Sequence, residues 1–405
     1  MSEQIQKEAA SSPHKPGINA LTPTATRLGD IVNFKRGYDL PETARRPGPH
    51  PVISSAGISG WHDEYKASGE GVVTGRYGTL GEMHYYNGHY WPHNTALYAT
   101  DFKGNDPKYV YYLLTCLGRL NTGDKSTVPG VNRNDLHELV IPLITGKAAQ
   151  KDIANVLSAI DAKIDLNNRI NAGLEALAKT IYDYWFVQFD FPDANGRPYK
   201  SSGGRMVWNK TLGREVPDGW GGETLWDVAD YTNGLAMQKF RPTGGEYLPV
   251  IKIKEMSDGI TPESERASPS IAEKYVVNDG DVLFSWSATL SILIWAHGRG
   301  ALNQHIFKVT SEKYPRSHFY FQLVNYLDHF KMLAEKRKTT MGHITLDHLR
   351  QASVIKPPIG LVKKLDDALH PMFEERVGLS KQSQELARLR DWLLPLLMNG
   401  QVRVA

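Results

Sequence analysis

Cysteine is nearly absent from this chain of 405 residues, in which Cys116 is the only one. A single cysteine excludes an internal disulfide and a cysteine-based zinc site, and it is typical of the reducing cytoplasm, where we expect this protein to work. Cys116 lies in an apolar helical pattern, which predicts a core position. Long apolar runs are missing as well, since stretches such as residues 290–296 fall far short of the roughly 20 residues that span a bilayer. The N-terminus has no apolar core, so we expect no signal peptide.

A strong excess of one charge is also lacking. The 47 lysines and arginines nearly balance the 44 acidic residues, which leaves a net charge of +3. This balance argues against a dedicated non-specific nucleic-acid binder, which would be more basic, but it permits a protein that shares a duplex with basic partners. Because 41% of the residues are hydrophobic, the chain can form two or three domains of ordinary size.

The familiar catalytic motifs are missing too. Amino-methyltransferases clamp a flipped base with an Asn/Asp-Pro-Pro-aromatic loop, whereas Lys356-Pro-Pro-Ile359 has neither the amide nor the aromatic ring. No phosphate loop of the form Gly-x-x-x-x-Gly-Lys-Ser/Thr occurs. Gly75, Gly78 and Gly81 resemble one in spacing, but no helix pattern follows them, and turns between strands are the better interpretation. We therefore expect no catalytic centre and no bound cofactor in this chain.

Nuclease and metal patterns are equally weak. Pro192-Asp193 and Pro217-Asp218 lack the acidic-x-Lys strand that a Pro-Asp nuclease motif needs nearby. His84, His89 and His93 lie close together in the sequence, but a metal site usually adds a cysteine or carboxylate ligand in fixed geometry. Their strand-and-turn setting favours a structural or DNA-facing aromatic patch.

What the sequence does contain is an imperfect internal duplication. Residues 28–37 (LGDIVNFKRG) match residues 225–234 (LWDVADYTNG), 197 positions later. The later segments also correspond: aromatic strands with glycine turns at 71–101 and 280–311, short helices at 108–117 and 317–333, and closing signatures at 126–142 and 339–358. In the closing signature the offset is 213, because Leu136 matches Leu349. Such a repeat predicts two similar globular domains, with loop insertions in the second.

A long helical run follows each closing signature. At 147–186 and 360–399, apolar residues recur every three or four positions, which is helical periodicity. A helix of about 40 residues is about 60 Å long, and helices of that length with a narrow apolar stripe usually pack on each other. We expect the following residues in the stripes: Ile153, Leu157, Ile160, Ile164, Ile170, Leu174, Leu177, Ile181 and Tyr184, and Leu361, Leu365, Leu369, Met372, Leu386, Leu389, Leu393 and Leu396.

Prolines interrupt the second helical run. Pro371 and Pro395 would each cost roughly 3 kcal/mol in a helix interior, so we expect a kink or a break near His370. Gly400 is a stop signal for this helix.

Asparagines interrupt the stripe of the first helical run. Asn167, Asn168 and Asn171 can either lie buried and fix the register of a helix pair, at a cost in stability, or face solvent. Both interpretations are open from the sequence.

These features predict an α+β protein in which two similar mixed α/β domains are separated by two long helices that form an antiparallel coiled coil, with a pseudo-twofold internal repeat. The predicted order is a flexible N-terminal arm (1–24), a first globular domain (25–146), a first spacer helix (147–187), a linker (188–222), a second globular domain (223–358), a second spacer helix (359–400) and a C-terminal tail (401–405). The linker is assigned from its many glycines and prolines, which are typical of loops.

Two similar domains on a rigid spacer can measure distance along DNA, because two-headed proteins read half-sites whose spacing mirrors their own separation. Since the halves differ in sequence, we expect an asymmetric bipartite target with an unread spacer. Predicted loops of both domains carry basic, aromatic and amide residues, the types that hold phosphates and read base edges. The candidate DNA-binding residues are Lys35, Arg36, Tyr38, Arg76, Tyr77, Lys125, Asn132 and Arg133 in the first domain, and Lys239, Lys252, Lys254, Trp286, Arg299, Lys336, Arg337 and Lys338 in the second.

Residues 150–178 (QKDIANVLSAIDAKIDLNNRINAGLEALA) resemble the helical spacer of Type I restriction–modification specificity subunits. The segments Tyr184-Trp-Phe-Val-Gln-Phe-Asp190 and Pro217-Asp-Gly-Trp220 are similar to the stretch that leads into the second recognition domain of that family. The resemblance extends from about Ala25 to Val404, and the motif of the first helix is specific.

This resemblance implies a function and a set of partners. The two globular domains would be target-recognition domains, each reading one half of a split DNA sequence, and the chain would have no catalysis of its own. Two methyltransferase (modification) subunits would dock on it to give an adenine-N6 methylase, and two motor-nuclease (restriction) subunits would complete an ATP-dependent endonuclease. S-adenosylmethionine, ATP and Mg would belong to those partners.

A coiled-coil scaffold or adaptor that binds no nucleic acid is the alternative. It accounts for the long helices but not for two whole similar globular domains. A scaffold of this kind would show no salt-dependent affinity for DNA, so the two hypotheses are easily separated.

Replacement of the basic run Lys336, Arg337 and Lys338 by alanine should weaken DNA binding broadly across sequences. Each lost phosphate contact should also flatten the dependence of log K on log salt by about 0.9, because fewer counterions are released. The measurement is a salt titration of DNA binding by the assembled complex, with the wild-type complex as the reference. Unchanged binding would count against the assignment.

Overall fold

The computed structural model describes residues 22–75, 82–120, 133–336 and 343–404. These ranges contain α-helices and runs of mostly antiparallel strands, so the fold is α+β as predicted. The chain divides into two compact units, the described part of Met1–Lys163 together with Leu386–Ala405, and Ile164–Glu385. Within the described residues, no helix combines the length and the apolar character that crossing a membrane requires.

The first unit contains the first globular head. Its elements are β1 (Thr24–Arg27), α1 (Leu28–Ile31), β2 (Asn33–Arg36), β3 (His50–Ser54), β4 (Gly57–His62), β5 (Glu70–Gly75), β6 (Met83–Asn87), β7 (Trp91–Pro92), β8 (Ala96–Asp101), α2 (Pro107–Leu120), α3 (Arg133–Glu138), β9 (Val140–Leu143) and the start of α4 (Lys147–Phe186). An antiparallel sheet has the order β2-β8-β5-β6, a smaller sheet has the order β4-β3-β7 with β3 and β7 parallel, and β1 pairs with β9. Thr24, predicted to end the arm, therefore begins a strand, and residues 1–21 lie outside the described ranges.

The second unit contains the second head. Its elements are β10 (Met206–Asn209), β11 (Arg214–Pro217), β12 (Gly221–Thr224), α5 (Leu225–Val228), β13 (Asp230–Asn233), β14 (Leu248–Ile251), α6 (Ile253–Asp258), β15 (Arg266–Ala267), β16 (Val276–Val277), β17 (Val282–Ser285), β18 (Ser291–Ile294), β19 (Gly300–Leu302), β20 (Ile306–Thr310), α7 (Arg316–Lys336), α8 (Leu346–Gln351), β21 (Ser353–Lys356) and most of α9 (Ile359–Met398). The larger sheet has the order β13-β20-β17-β18, the smaller β15-β14-β19-β16 with β14 and β19 parallel, and β12 pairs with β21.

The predicted duplication is confirmed in the sheet topology, apart from β16, which adds a fourth strand to the smaller sheet of the second head. The order β13-β20-β17-β18 repeats the order β2-β8-β5-β6, and the parallel pair β14–β19 repeats β3–β7. The register agrees as well, since Arg36 pairs with Leu97 and Asn233 pairs with Phe307. Both heads are therefore built on one backbone plan.

Each head buries its own core: β5 and β17 are buried along most or all of their length, whereas β2 has one buried side chain between exposed ones. In β2, Phe34 is fully buried while its neighbours Asn33 and Lys35 are exposed. Helix α2 covers the first sheet with buried Tyr109 and Leu113, and Cys116 is buried in the same cluster, as predicted.

The two long helices pack against each other within each unit. In the second unit, Asn167 Nδ2 donates to Gln382 Oε1 (2.8 Å), and Arg376 Nη2 donates to Glu175 Oε2 (2.8 Å). Residues later in α4 contact residues earlier in α9, so the two helices are antiparallel, as predicted. In the first unit, Arg390 Nη1 donates to Asp161 Oδ1 (2.7 Å), which also joins the two helices.

The apolar stripes are only partly as predicted. Ile153 and Leu157 are buried, but Ile170, Leu177 and Leu389 are exposed. The middle of the helix pair is polar instead: Asn167 is fully buried, and Asn171 Nδ2 donates to Ser380 Oγ (3.0 Å), whereas Asn168 is exposed. Periodicity alone could not show which of two adjacent faces of α4 meets its partner. Two of the three asparagines therefore belong to the interface.

Of the kink or break predicted near His370, the break is wrong, because α9 runs continuously from Ile359 to Met398; the kink stays a prediction. Pro371 is exposed, while Leu369 and Phe373 on either side are fully buried. Burial of such side chains contributes roughly 1.5–3 kcal/mol each, which offsets the roughly 3 kcal/mol that an interior proline costs. The predicted stop is confirmed, since Gly400 adopts a positive φ of 67° just after the helix.

Residues 188–222 hold more structure than their loop composition predicts. Strands β10 and β11 form a hairpin, and β12, which includes Gly221 and Gly222, pairs with β21. Aromatic packing compensates for the glycines and prolines: the Phe191 ring stacks on Tyr199 (centroids 4.7 Å apart) and on Trp220 (5.2 Å).

A glycine closes the equivalent strand end in both heads. A Cβ on Gly37 would lie 2.2 Å from the carbonyl oxygen of His93, and one on Gly234 would lie 2.1 Å from that of Asn303. The following residues, Tyr38 and Leu235, form parallel bridges to the same two partners. Only glycine permits this approach of two backbones.

Substitution Gly37→Ala should destabilise the protein by roughly 1–3 kcal/mol, because the added methyl group collides with backbone that cannot rotate away. Thermal unfolding should show a midpoint lowered by several degrees. Gly173→Ala in α4 is the matched control: a Cβ there meets nothing within 4 Å, so the change should be neutral or stabilise by about 0.5–1 kcal/mol. Equal melting of both variants would contradict the steric argument.

Candidate nucleic-acid interface

Three of the predicted residues cluster at the end of β2. The Lys35 ammonium donates to Tyr38 Oη (3.4 Å) and lies 5.3 Å from the centre of its ring. The Tyr38 and Tyr98 hydroxyls are 3.2 Å apart. The hydrogen bond with Tyr98, followed by that with Lys35, lowers the pKa of Tyr38, whereas burial raises the pKa of Tyr98.

Arg36 is held at the same strand end. Its Nε donates to the backbone carbonyl of Asn94 (3.3 Å), and Asn94 Nδ2 donates to Asp39 Oδ1 (2.5 Å). Lys66 adds a further cation, 4.9 Å from the centre of the Trp91 ring, which in turn meets Tyr38 edge-on. Within the described ranges, neither Arg36 nor Lys66 has a carboxylate at ion-pair distance, and the same holds for Lys35.

Sequence reasoning missed Lys66 and Asn94. No local pattern could have identified them, because β2, the stretch before β5 and the turn before β8 come together only in the folded sheet.

Arg133 begins helix α3, which is attached to the same strand. The Phe34 backbone N–H donates to His137 Nε2 (3.0 Å), and burial lowers the pKa of His137, in keeping with a neutral acceptor. The Arg133 side chain is exposed and lies 3.4 Å from Asn134 Oδ1. Other candidates cannot be placed: Arg76, Tyr77, Lys125, Asn132, Arg337 and Lys338 lie outside the described residues, as does the side chain of Lys336.

Trp286 is the centre of the corresponding surface in the second head. Its indole Nε1 donates to Asn233 Oδ1 (2.9 Å). The ring packs against His305 (centroids 5.5 Å apart) and meets His343 edge-on (5.6 Å). The Ile344 N–H donates to the backbone carbonyl of Trp286 (2.9 Å). This hydrogen bond connects the turn that contains Trp286 to the closing signature at 339–358. Asn233, His305 and His343 were not among the predicted residues, although the offset of 197 from Arg36 pointed to Asn233.

The predicted cations of the second head are not equivalent. Lys252 is paired with Glu265 (2.5 Å), and Arg299 is paired with Glu273 (2.9 Å). Lys239 and Lys254 are exposed, and neither forms an ion pair with another described residue. The structure thus leaves Lys239 and Lys254 available to an anion, whereas carboxylates already neutralise the other two.

The histidine cluster does not converge on one point. His84 Nε2 lies 3.3 Å from the carbonyl of Ser55, His93 Nδ1 lies 3.0 Å from Thr95 Oγ1, and the His89 ring stacks on Tyr65 (4.2 Å). In the part of the chain that the structure describes, no three histidine, cysteine or carboxylate side chains form a group that could hold a metal ion.

Comparison with known proteins relates both heads to a single family. Residues 24–176 and 217–386 match the family described as Type I restriction modification DNA specificity domain. The chain is 26% identical over 314 residues to the Type I restriction enzyme MjaIX specificity subunit of Methanocaldococcus jannaschii, a match that covers 73% of this chain and 69% of that protein. It is 21% identical over 350 residues to the HindI specificity subunit of Haemophilus influenzae, covering 72% and 74%.

The fold is also found in a solved structure. The Type I restriction–modification S subunit from M. genitalium aligns with 97% of this chain and 99% of its own length, with a TM-score of 0.59 and 15% identity. At that identity the likeness concerns the fold alone.

Proposed function

The chain belongs to the Type I restriction–modification DNA specificity family, and from that premise we propose that each head reads one half of an asymmetric bipartite DNA target. The observation that carries the proposal is that one backbone plan occurs twice, with different exposed side chains at equivalent strand ends. Two copies of one reading surface that differ in their side chains favour two different half-sites.

The electrostatics of the first head support contact with a duplex. Lys35, Arg36 and Lys66 surround Tyr38 at one strand end. Cations that are not neutralised by carboxylates are the groups that phosphates attract, and aromatic and amide groups beside them add base contacts. Lys239 and Lys254 supply comparable charges in the second head.

The helix pair would set the distance between half-sites. Helices of 40 residues measure about 60 Å. The hydrogen bond of the buried Asn167 to Gln382 and the ion pair of Glu175 with Arg376 would be lost if the helices slid past each other, and a fixed register gives a spacer of fixed length.

The helices also offer a surface for the methyltransferase subunits. Leu166, Ile170, Leu177 and Tyr184 are exposed on α4, and they lie within about 40° of one another around the helix axis. An exposed apolar stripe is typical of an interaction surface. We propose that two methyltransferase subunits dock on the helices and two motor-nuclease subunits complete the complex. Catalysis, S-adenosylmethionine, ATP and Mg would then belong to those subunits.

A scaffold that binds no nucleic acid remains the second candidate. The same helix pair would serve it equally well. It gives no reason, however, for two heads that share a backbone plan and each carry exposed cations without an ion-pair partner among the described residues.

Mapping of methylated adenines in the host should reveal a split asymmetric motif that disappears when the gene is deleted. A paired deletion of residues 162–165 and 386–389 tests the spacer, because it leaves Asp161–Arg390 and Asn167–Gln382 intact. Removing four residues shortens a helix by about 6 Å, close to two base pairs at about 3.4 Å each. The unread spacer should shorten accordingly, and an unaltered spacer would refute the role of the helices in measuring distance.

Replacement of Leu166 and Leu177 by serine should weaken binding of the methyltransferase subunits roughly 10- to 100-fold, because each leucine is about half exposed and would bury about half of the roughly 1.5–3 kcal/mol that full burial contributes. Calorimetry or sedimentation of the mixed subunits measures the effect. Ala172→Ser, on an exposed part of α4 about 120° away from Leu166, is the control and should bind normally. Full assembly of the double variant would exclude the stripe as the docking surface.

A further inference from the structure

Arg36 and Asn233 occupy the same place in the two heads. Each is the last residue of the first strand of its larger sheet, and each is followed by the glycine at which two backbones approach. The strand registers agree, since Arg36 pairs with Leu97 and Asn233 with Phe307. Both side chains are exposed.

The Arg36 side chain is oriented by its own neighbours. The hydrogen bond from Nε to the Asn94 carbonyl holds the plane of the guanidinium group. Its terminal nitrogens Nη1 and Nη2 have no acceptor among the described residues, so they present a fork of two donors. A fork of this shape matches the O6 and N7 acceptors of guanine in the major groove.

Asn233 is oriented by Trp286. The indole nitrogen can only donate, so the atom that faces it at 2.9 Å must be the carbonyl oxygen Oδ1. The amide nitrogen Nδ2 therefore points away as a donor, and Oδ1 keeps a second lone pair. One donor beside one acceptor matches the N7 and N6 edge of adenine. The packing of Trp286 against His305 and His343 holds the indole in this position.

We propose that Arg36 and Asn233 are equivalent base-reading residues, Arg36 for a guanine in one half-site and Asn233 for an adenine in the other, with Trp286 as the positioning residue of Asn233. The inference rests on the proposed function and adds to it the residues and the bases. Lys35, next to Arg36 on the same strand, contacts phosphate and carries no base preference.

The test uses the assembled methyltransferase complex and a library of DNA duplexes in which every position of the wild-type motif is varied. Arg36→Lys keeps the charge but loses the fork, and it should reduce discrimination for guanine at one position of one half-site roughly 5- to 140-fold. Asn233→Ala should do the same for adenine at one position of the other half-site. Lys35→Ala is the matched control, which should weaken methylation equally at all sequences and flatten the salt dependence.

Trp286→Phe keeps a ring but removes the indole N–H. It should relax the same adenine position as Asn233→Ala, and the double variant should show no further loss. A uniform loss at all sequences, or relaxation at a different position, would overturn the positioning role.

The outcomes separate this inference from the proposed function. If the wild-type complex methylates a split motif and Arg36→Lys and Asn233→Ala leave every base preference unchanged, the base assignment is wrong while the proposed function stands. If the wild-type motif is not split or does not depend on this chain, the proposed function itself fails. Methylation of the wild-type sequence by each variant confirms that the variant is folded and assembled.

Discussion

The hydrogen bond between Asn167 and Gln382 is the constraint on which the organisation of the helix pair depends. Asn167 is fully buried, so its amide must find a partner or lose the free energy of desolvation, roughly 1–3 kcal/mol. Gln382 provides that partner, whereas Gly378 and Leu386, four residues away on α9 in either direction, have no side-chain acceptor. The carbonyl oxygen Oδ1 of Asn167 has no hydrogen bond among the described residues. The interface is therefore less stable than a fully satisfied one, but its register is defined.

The neighbouring contacts reinforce this register. Asn171 with Ser380 and Glu175 with Arg376 follow at successive turns, and Asp161 with Arg390 does the same within the first unit. A purely leucine-lined pair could slide by a turn at little cost, whereas these pairs would each leave a polar group unsatisfied. A polar interface also leaves the adjacent apolar face of α4 exposed.

The two heads share a backbone frame and differ in the side chains at equivalent strand ends. The heads share the glycines Gly37 and Gly234, the strand orders and the registers. These features fix the position of the first strand's end in each head. What is presented differs: a guanidinium held by a backbone carbonyl in one head, an amide held by an indole in the other. The two heads therefore differ in the side chains that a common backbone frame presents rather than in the frame itself.

The duplication, the two long helices, the buried Cys116 and the stop at Gly400 were readable from the amino-acid sequence, because repeats, periodicity and backbone preferences are local properties of a chain. Three features could not be read from the sequence: the unbroken helix through Pro371, the hairpin within 188–222 and the buried face of α4. Each depends on packing with side chains that are distant in sequence, and local patterns do not show this packing. The same applies to the candidate interface. Residue type singled out Arg36 and Lys252 alike, but only the folded structure shows that Glu265 neutralises Lys252 while Arg36 stays without an ion pair among the described residues. Which charges and polar groups are paired depends on residues that are close in space, and a sequence pattern does not show which residues those are.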